Sequence, residues 1–337
     1  EVHNMEKVTI IDIAQYCNVS IKTVSRVINH SENVSEETRN KVLSAMKKLG
    51  YQVNLLARGL KQNRTNIIII FVDRHKEEHM SMWHNVMLKY LFRYAKEKGL
   101  KVITSPSNGE SYLEDETDGF YLLSSGIADG AILLETVHKD KRLEYLEQTK
   151  TPYVVFGQPD RENAHSVSLD NYDVGYKGGK YLLERGYKKI CFLVGEEKFL
   201  STQFRVKGFL DAIKESGIEY RIIYEVDTKE KAFDTAKDII ENEPTEAFFV
   251  SGDERALGVY KLLHQKNLNI PEDVSVLGID NISICEYMYP AMSSMKQDFR
   301  QLAMECIDML DDLLENQDSE RERQILIPSE VIEREST

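Results

Sequence analysis

Short apolar runs alternate with amphipathic stretches from Thr65 almost to the end of the chain, and this alternation restricts the fold more than any other feature. Each apolar run has the length of a buried strand, and each amphipathic stretch has the periodicity of a helix that covers a sheet. Such alternation predicts parallel sheets with helices on both faces, and so many strands fit two doubly wound sheets better than one.

The predicted strands are Ile67–Val72, Lys101–Ser105, Gly130–Leu134, Tyr153–Phe156, Ser166–Leu169, Lys189–Leu193, Ile222–Glu225, Ala247–Val250 and Val274–Ile279, with strand-like residues again at Gln324–Ile332. The predicted helices include Met82–Lys98, Asp140–Glu147, Tyr172–Arg185, Arg205–Ser216, Ala232–Glu241, Ala256–Lys266 and Arg300–Glu315.

The composition is that of a soluble globular protein, with 42% hydrophobic and 29% charged residues among 337. The longest apolar run lies near Ile67–Val72 and is far shorter than the roughly 20 residues that span a bilayer. Four widely separated cysteines suggest neither a disulfide framework nor a zinc site. We expect Met5 to be the natural start, no secretory signal, no membrane partner and a cytoplasmic location.

The charge of the chain is divided between its two parts. Residues 1–65 carry ten Lys and Arg against six Asp and Glu, a net charge of +4. The remaining 33 Lys and Arg and 50 Asp and Glu give residues 66–337 a net charge of −17, and the whole chain has −13. A basic head on an acidic body favours contact of the head with phosphates and disfavours nonspecific adhesion of the body.

The head is predicted to contain three short helices. Val8–Tyr16 has Thr9 as a cap candidate, and a tight turn leads from it into the stretch Ser20–Asn29. A third helix runs from about Glu36 to Leu49, with Ser35 as its N-cap and Gly50 as its end. The residues expected to face the core of the head are Ile10, Ile13, Ala14, Val24, Val27, Ile28, Val42, Leu43, Met46 and Leu49.

Ser20–Asn29 is amphipathic, and its polar face offers hydroxyl, amide, lysine and arginine groups. Such a face suits the major groove of DNA, although an ordinary surface helix explains these residues about equally well by themselves. The sequence on either side decides between the two interpretations.

The stretch VTIIDIAQYCNVSIKTVSRVIN, followed by NVSEETRNKVLSAMKKLGY, resembles the DNA-binding head of the lactose/galactose repressor (LacI/GalR) family. The family patterns T-x-x-D-[IV]-A, T-V-S-R-V-[IL]-N and V-S-x-x-T-R-x-x-V all occur at the expected spacing. Later segments, among them DGAILL, TPYVVFG, FRVKGF, SGDERALGVY, VSVLGIDN and KQDF, resemble the effector-binding core of the same family, which is similar to periplasmic sugar-binding proteins.

The resemblance implies a helix-turn-helix head at residues 5–50, a hinge at 51–65 and an effector-binding, dimerising core at 66–337. The core is expected to have an N-lobe at about 66–165 and 295–326 and a C-lobe at about 166–294 and 327–337. In the hinge, Leu60 is expected to enter the minor groove at the operator centre, and small Ala57 to let two hinge helices touch. Val53 stands where the family usually has proline.

In the head, Ile21 and Lys22 are expected to select the DNA sequence with Arg26 beside them. Lys22 is expected to donate to guanine and Ile21 to cover a thymine methyl group. The residues expected to hold the DNA backbone are Thr9, Ser20, Thr23, Ser25, Asn29, Asn33 and Ser35.

Ligands of parallel α/β sheets bind at the carboxyl ends of strands, which selects Asp73, Gly157, Asp253 and Asp280. Sugars are bound by Asp, Asn and Arg side chains, with an aromatic face that Phe299 is expected to supply. By resemblance, Arg205 and Asp280 are the main effector contacts. Asp253 has the alternative role of capping the helix that starts at Glu254.

Two departures from the family leave the nature of the effector open. No aromatic residue lies near Thr228, and Gly157 occupies a position where some members have a ligand-binding Asp. These departures leave three alternatives open: a larger effector, a charged effector, or no effector.

No enzyme motif is present. VGYKGGKY fails the spacing of a phosphate-binding loop, and HKEEH has Lys76 where a zinc protease needs its catalytic Glu. His75, His79 and His84 remain a minor alternative as a fortuitous metal site. We expect no catalytic residue, no metal and no cofactor.

The sequence thus predicts a homodimeric repressor of carbohydrate-utilisation genes that binds near-palindromic operator DNA on the nucleoid and answers to a small-molecule effector, expected to be a sugar. One alternative is the same regulator answering to a phosphoprotein or a non-sugar ligand. A second, from another class, is a solute-binding protein of a transport system.

Overall fold

The computed structural model describes residues 8–29, 31, 33–52, 64–72, 80–107, 115–134, 136–316 and 323–337. The chain divides into two compact units, residues 1–65 and residues 66–337. Within the described residues no helix is both long and apolar enough to cross a bilayer.

The first unit contains the helices α1 (Ile10–Cys17), α2 (Ile21–Ile28) and α3 (Glu36–Leu49). Each begins at a hydroxyl N-cap, because the side chains of Thr9, Ser20 and Ser35 accept hydrogen bonds from backbone N–H groups of the first turns. Gly50 ends α3 in the left-handed conformation, with φ +69°. The three predicted caps and the predicted end are confirmed.

The core of this unit is formed by small and β-branched side chains of all three helices: Ile13, Ala14, Cys17, Val24, Val27, Val42 and Ala45. The inward position predicted for Leu43 is wrong, because its side chain is 45% exposed. The buried face of α3 follows the spacing Val42, Ala45, Met46 and Leu49, which turns residue 43 toward solvent.

The second unit contains twelve strands among its described residues. In chain order they are β1 (Ile67–Val72), β2 (Lys101–Pro106), β3 (Gly130–Leu133), β4 (Tyr153–Phe156), β5 (Ser166–Leu169), β6 (Lys189–Leu193), β7 (Glu219–Ile223), β8 (Ala247–Val250), β9 (Ser275–Asp280), β10 (Ser293–Lys296), β11 (Gln324–Ile327) and β12 (Val331–Ile332). The helices are α4 (Met82–Glu97), α5 (Phe120–Ser124), α6 (Lys141–Thr149), α7 (Asn171–Glu184), α8 (Leu200–Ile213), α9 (Lys229–Asn242), α10 (Asp253–Gln265) and α11 (Phe299–Glu315), with a 3₁₀ helix at Ser283–Glu286.

The strands form two six-stranded sheets, as the alternating pattern predicted. The first has the order β11-β5-β4-β3-β1-β2 with all neighbours parallel. The second has the order β12-β10-β9-β8-β6-β7, and only β12 runs antiparallel to its neighbour. We call the first sheet with α4–α6 and α11 the first lobe, and the second sheet with α7–α10 the second lobe.

The chain crosses between the lobes after β5, after β10 and after β11. The lobe boundaries expected at 166 and 295 differ from this arrangement, because β5 pairs with β4 in the first sheet and β10 pairs with β9 in the second. The strand-like stretch Gln324–Ile332 is two strands that belong to different sheets. Hydrophobicity does not reveal a crossing, since both sheets bury their strands.

Helices α7 and α8 are in backbone contact because glycine occupies the crossing points. A Cβ atom on Gly208 would lie 2.0 Å from the carbonyl oxygen of Tyr172, and one on Gly175 would lie 1.9 Å from that of Arg205. In the stretch VGYKGGKY, Gly175 and Gly179 pack against α8 and Gly178 packs against Phe249 of β8, so all three glycines have a packing role.

Replacement of Gly208 by Ala is expected to lower the free energy of unfolding by about 1–3 kcal/mol, because the added methyl group forces α7 and α8 apart. Thermal and urea denaturation followed by circular dichroism measure the change. Lys214→Ala, at the exposed end of α8, is the matched control. An unchanged stability of Gly208→Ala would contradict the backbone contact.

Candidate DNA-binding surface and interlobe site

The exposed face of α2 is formed by the residues predicted to select a DNA sequence. Ile21 is 48% exposed although it is apolar, and Lys22 and Arg26 are exposed beside it. Val24 and Val27 anchor the opposite face in the core. The side chain of Ile21 is therefore accessible at the start of α2, as the predicted contact with a thymine methyl group requires.

The predicted DNA-backbone contacts lie around the helix starts. Thr9, Ser20 and Ser35 are exposed caps, and the hydroxyl of Ser20 is 2.9 Å from that of Thr23. The Asn29 amide donates to the Ser25 hydroxyl at 3.4 Å, and Asn33 is exposed. Helix starts present backbone N–H groups that suit phosphate oxygens. Ala57 and Leu60 lie outside the described residues.

In the second unit, Arg205 and Asp280 come together at the carboxyl ends of the strands of the second lobe. The guanidinium of Arg205, on α8, donates from Nε to Oδ1 of Asn171 and from Nη1 to Oγ of Ser251, both at 2.8 Å. Burial lowers the pKa of Arg205 to about 10, and the negative charge of Asp280 opposes this shift. Arg205 therefore remains a cation at neutral pH.

Asp280 is the last residue of β9 and is 7% exposed. Burial raises the pKa of its carboxyl to about 6, and the charges of Arg205 and Arg255 oppose the increase. Its Oδ1 accepts a hydrogen bond of 2.5 Å from Nε2 of Gln297. The backbone of Asp280 has φ +123°, which is strained for a residue with a side chain.

Asp253 is the first residue of α10 and is fully buried. Its carboxylate accepts hydrogen bonds from the backbone N–H of Ile282 at 2.9 Å, Oγ of Ser294 at 2.7 Å and Sγ of Cys285 at 3.1 Å. Burial and the neighbouring charge of Asp280 raise its pKa to about 8. The alternative role as a helix cap is wrong, because the cap position is Gly252 and no side chain caps α10. The carboxylate instead fixes the segment that follows Asp280.

An aromatic cluster from the first lobe and from the second crossing stands beside these polar groups. The ring of Trp83, on α4, lies 5.3 Å from that of Phe156 and 6.3 Å from that of Phe299. Phe299 is the first residue of α11 and is 6% exposed. Phe299 was predicted here, whereas Trp83 and Phe156 were not.

The sequence reasoning also missed Asn171, Ser251 and Gln297. Asn171 and Ser251 follow β5 and β8 closely, so the strand-end rule that selected Asp280 applies to them as well. Gln297 lies in the motif KQDF, from which only Phe299 was predicted to reach the effector, as the aromatic residue. Asp73 lies outside the described residues. Gly157 follows β4 with φ +124°, and a Cβ atom there would meet no atom within 4 Å.

The described residues contain no group of three or more His, Cys, Asp or Glu side chains placed to hold a metal ion. Of the predicted histidines, His75 and His79 lie outside the described residues. His84 is 4% exposed, and its Nδ1 lies 2.7 Å from Oγ of Ser81.

Comparison with known families agrees with both units. Residues 9–54 match the model described as bacterial regulatory proteins, lacI family, and residues 180–337 match the periplasmic binding protein-like domain. The repressor PurR of Vibrio atlanticus is 31% identical over 336 residues, which cover 97% of each chain. The regulator CelR of Thermobifida fusca is 28% identical over 93% of this chain and 94% of its own.

Solved structures share the fold. The lac repressor dimer bound to operator and the anti-inducer ONPF superposes with a TM-score of 0.85 at 24% identity, over 98% of this chain and 99% of its own. The CelR–cellobiose complex superposes with a TM-score of 0.72 at 24% identity, over 98% of this chain and all of its own. The relatives PurR and CelR are regulators, which removes the alternative of a solute-binding protein of a transport system. The chain belongs to the LacI family of bacterial regulatory proteins, and it is a DNA-binding transcriptional regulator with a ligand-binding core.

Proposed function

We propose that this protein is a homodimeric repressor whose core binds a small polar effector, a sugar or sugar derivative, between the two lobes. The observation that carries the proposal is the placement of the Arg205 guanidinium and the Asp280 carboxylate beside the aromatic cluster of Trp83, Phe156 and Phe299. Charged donors and acceptors next to an aromatic wall are what a sugar requires.

Arg205 is held in place for this role. Its Nε and Nη1 donate hydrogen bonds to Asn171 and Ser251, whereas Nη2 has no hydrogen-bond partner among the described residues. A guanidinium fixed at two points offers its third nitrogen to a ligand without further loss of side-chain freedom. Asp253, enclosed by the chain, acts in this proposal by positioning the segment after Asp280.

The head determines where the repressor binds. A two-fold dimer presents two copies of α2 to successive major grooves, so its operator is expected to be near-palindromic. Ile21, Lys22 and Arg26 read bases. In the predicted hinge, Leu60 enters the minor groove at the operator centre, and Ala57 lets two hinge helices touch. The site of action is chromosomal DNA in the cytoplasm, and the effector shifts the balance between binding and release.

Lys22→Ala is expected to weaken operator binding by about 1–3 kcal/mol and to relax the preference at one base pair, because a donor to guanine is lost. The operator is first selected from a random duplex library, and fluorescence anisotropy then measures the affinity for each single-base variant. Lys47→Ala, an exposed lysine of α3, serves as the control. An unchanged base preference would remove Lys22 from the reading surface.

Arg205→Ala is expected to abolish the effector response while leaving operator affinity unchanged. The substitution removes the cation of the proposed effector-contact pair, Arg205 and Asp280. Thermal-shift screening against sugars and sugar phosphates, followed by operator binding with and without each hit, measures both properties. Arg221→Ala, a surface arginine of the same lobe, is the control. A normal response in Arg205→Ala would refute the assigned site.

Effector affinity is expected to fall as the pH decreases from 7.5 to 5.5. Burial raises the pKa of Asp280 to about 6, so its carboxylate is charged at the higher pH and takes up a proton at the lower one. A ligand hydroxyl that donates to the carboxylate then loses its acceptor. Calorimetric titration measures the profile, and Asp280→Asn should bind weakly with a flat profile over this range. A steep profile in Asp280→Asn would assign the titration to another group.

A further inference from the structure

Trp83 is the only tryptophan of the chain, and its side chain reaches from one lobe to the other. It is the second residue of α4, in the first lobe, and its indole Nε1–H donates to Oε1 of Gln297 at 3.1 Å. Gln297 directly follows β10 of the second sheet. Gln297 is 6% exposed, so this hydrogen bond lies in the protected space between the lobes.

The amide of Gln297 connects Trp83 to Asp280. Its Nε2 donates to Oδ1 of Asp280 at 2.5 Å, and its backbone N–H donates to the carbonyl oxygen of the same residue at 3.2 Å. An indole N–H only donates and a carboxylate only accepts. The two partners therefore determine the orientation of the amide, and the three side chains form one directed chain of hydrogen bonds.

The first turn of α4 has a second attachment to the other lobe. The backbone N–H of Met82 donates to Oε2 of Glu254 on α10 at 2.7 Å, and Lys229 of α9 lies 3.6 Å from Oε1 of the same carboxylate. The Trp83 ring meanwhile packs against Phe156 of the first lobe and Phe299 at the second crossing. The start of α4 is thus placed by contacts that depend on how the lobes are arranged.

We propose that Trp83 and Gln297 form a relay that couples the occupancy of Asp280 to the first turn of α4, with Trp83 as a specificity-determining wall of the effector site. The proposal rests on the proposed function for the role of Asp280. A ligand that donates to Asp280 must share the carboxylate with Gln297 or displace its amide. Either event changes the hydrogen bond between Gln297 and Trp83, and with it the contacts that attach the first turn of α4 to the second lobe.

The relay is tested first in the full chain without any ligand, through the fluorescence of Trp83. Gln297→Met keeps the length of the side chain and removes the amide, with both its carbonyl acceptor and its NH2 donor. It is expected to raise the acrylamide quenching constant about twofold and to shift the emission maximum, because the indole loses its partner. Gln265→Leu, at the exposed end of α10, should match the wild type. Equal quenching and emission in Gln297→Met and wild type would overturn the relay.

The second test uses ribose, cellobiose and glucose 6-phosphate as probes on wild type, Arg205→Ala and Trp83→Phe. Phenylalanine keeps the aromatic packing and removes the N–H donor, so a probe that binds wild type should bind Trp83→Phe about three- to tenfold more weakly. Its effect on operator affinity should shrink as well. Tyr220→Phe, an exposed aromatic residue of β7, is the control.

The two variants separate the two proposals. Loss of binding in Arg205→Ala with unchanged affinity and coupling in Trp83→Phe would refute the relay and leave the proposed function standing. Unchanged binding in Arg205→Ala would refute the proposed site itself. If the Trp83→Phe protein melts earlier than wild type, its effector-free operator affinity shows whether the fold is intact, and the quenching result still decides the relay.

Discussion

The partly buried guanidinium of Arg205, fixed by two hydrogen bonds, is the group on which the arrangement of the polar site in the second lobe depends. A buried cation is unfavourable unless its donors are paired, and Asn171, Ser251 and the charge of Asp280 supply that compensation. Asn171 of α7 reaches Arg205 of α8 where Gly175 and Gly208 let the two helices approach to backbone contact. The tight helix pair and the polar site are therefore two consequences of one arrangement.

The site also depends on the segments that cross between the lobes. Asn171 lies just after the first crossing and Gln297 lies in the second. At the third, Ser329 accepts a hydrogen bond from Nζ of Lys177 and donates its hydroxyl to the carbonyl oxygen of Lys296. The third crossing is thus hydrogen-bonded to the end of β10, where the second crossing begins, and to α7, which follows the first crossing. The proposed effector site at Arg205 and Asp280 therefore lies close to the segments that connect the two lobes.

The two buried acidic side chains, Asp253 and Asp280, have different surroundings and therefore different roles. Asp253 accepts three hydrogen bonds from within the chain, whereas Asp280 is oriented by Gln297 and faces two arginine charges. Burial raises the pKa of both carboxyl groups, and the charge of Asp280 raises the pKa of Asp253 further, since no cation is among the groups that shift the pKa of Asp253. Asp253 thereby stabilises the local chain conformation, and Asp280 remains the charged carboxylate near neutral pH.

The sequence by itself determined the local features: the hydroxyl caps of α1–α3, the exposed polar face of α2, the two parallel sheets and the strand-end position of Asp280. Caps and hydrophobic periodicity act within a few residues, so they can be read from the chain alone. Only the tertiary structure decided which strands share a sheet, that Asp253 is enclosed, and that Trp83, Phe156 and Gln297 join the site. These contacts connect residues up to 214 positions apart, and no local pattern records which distant partner will satisfy a buried polar group.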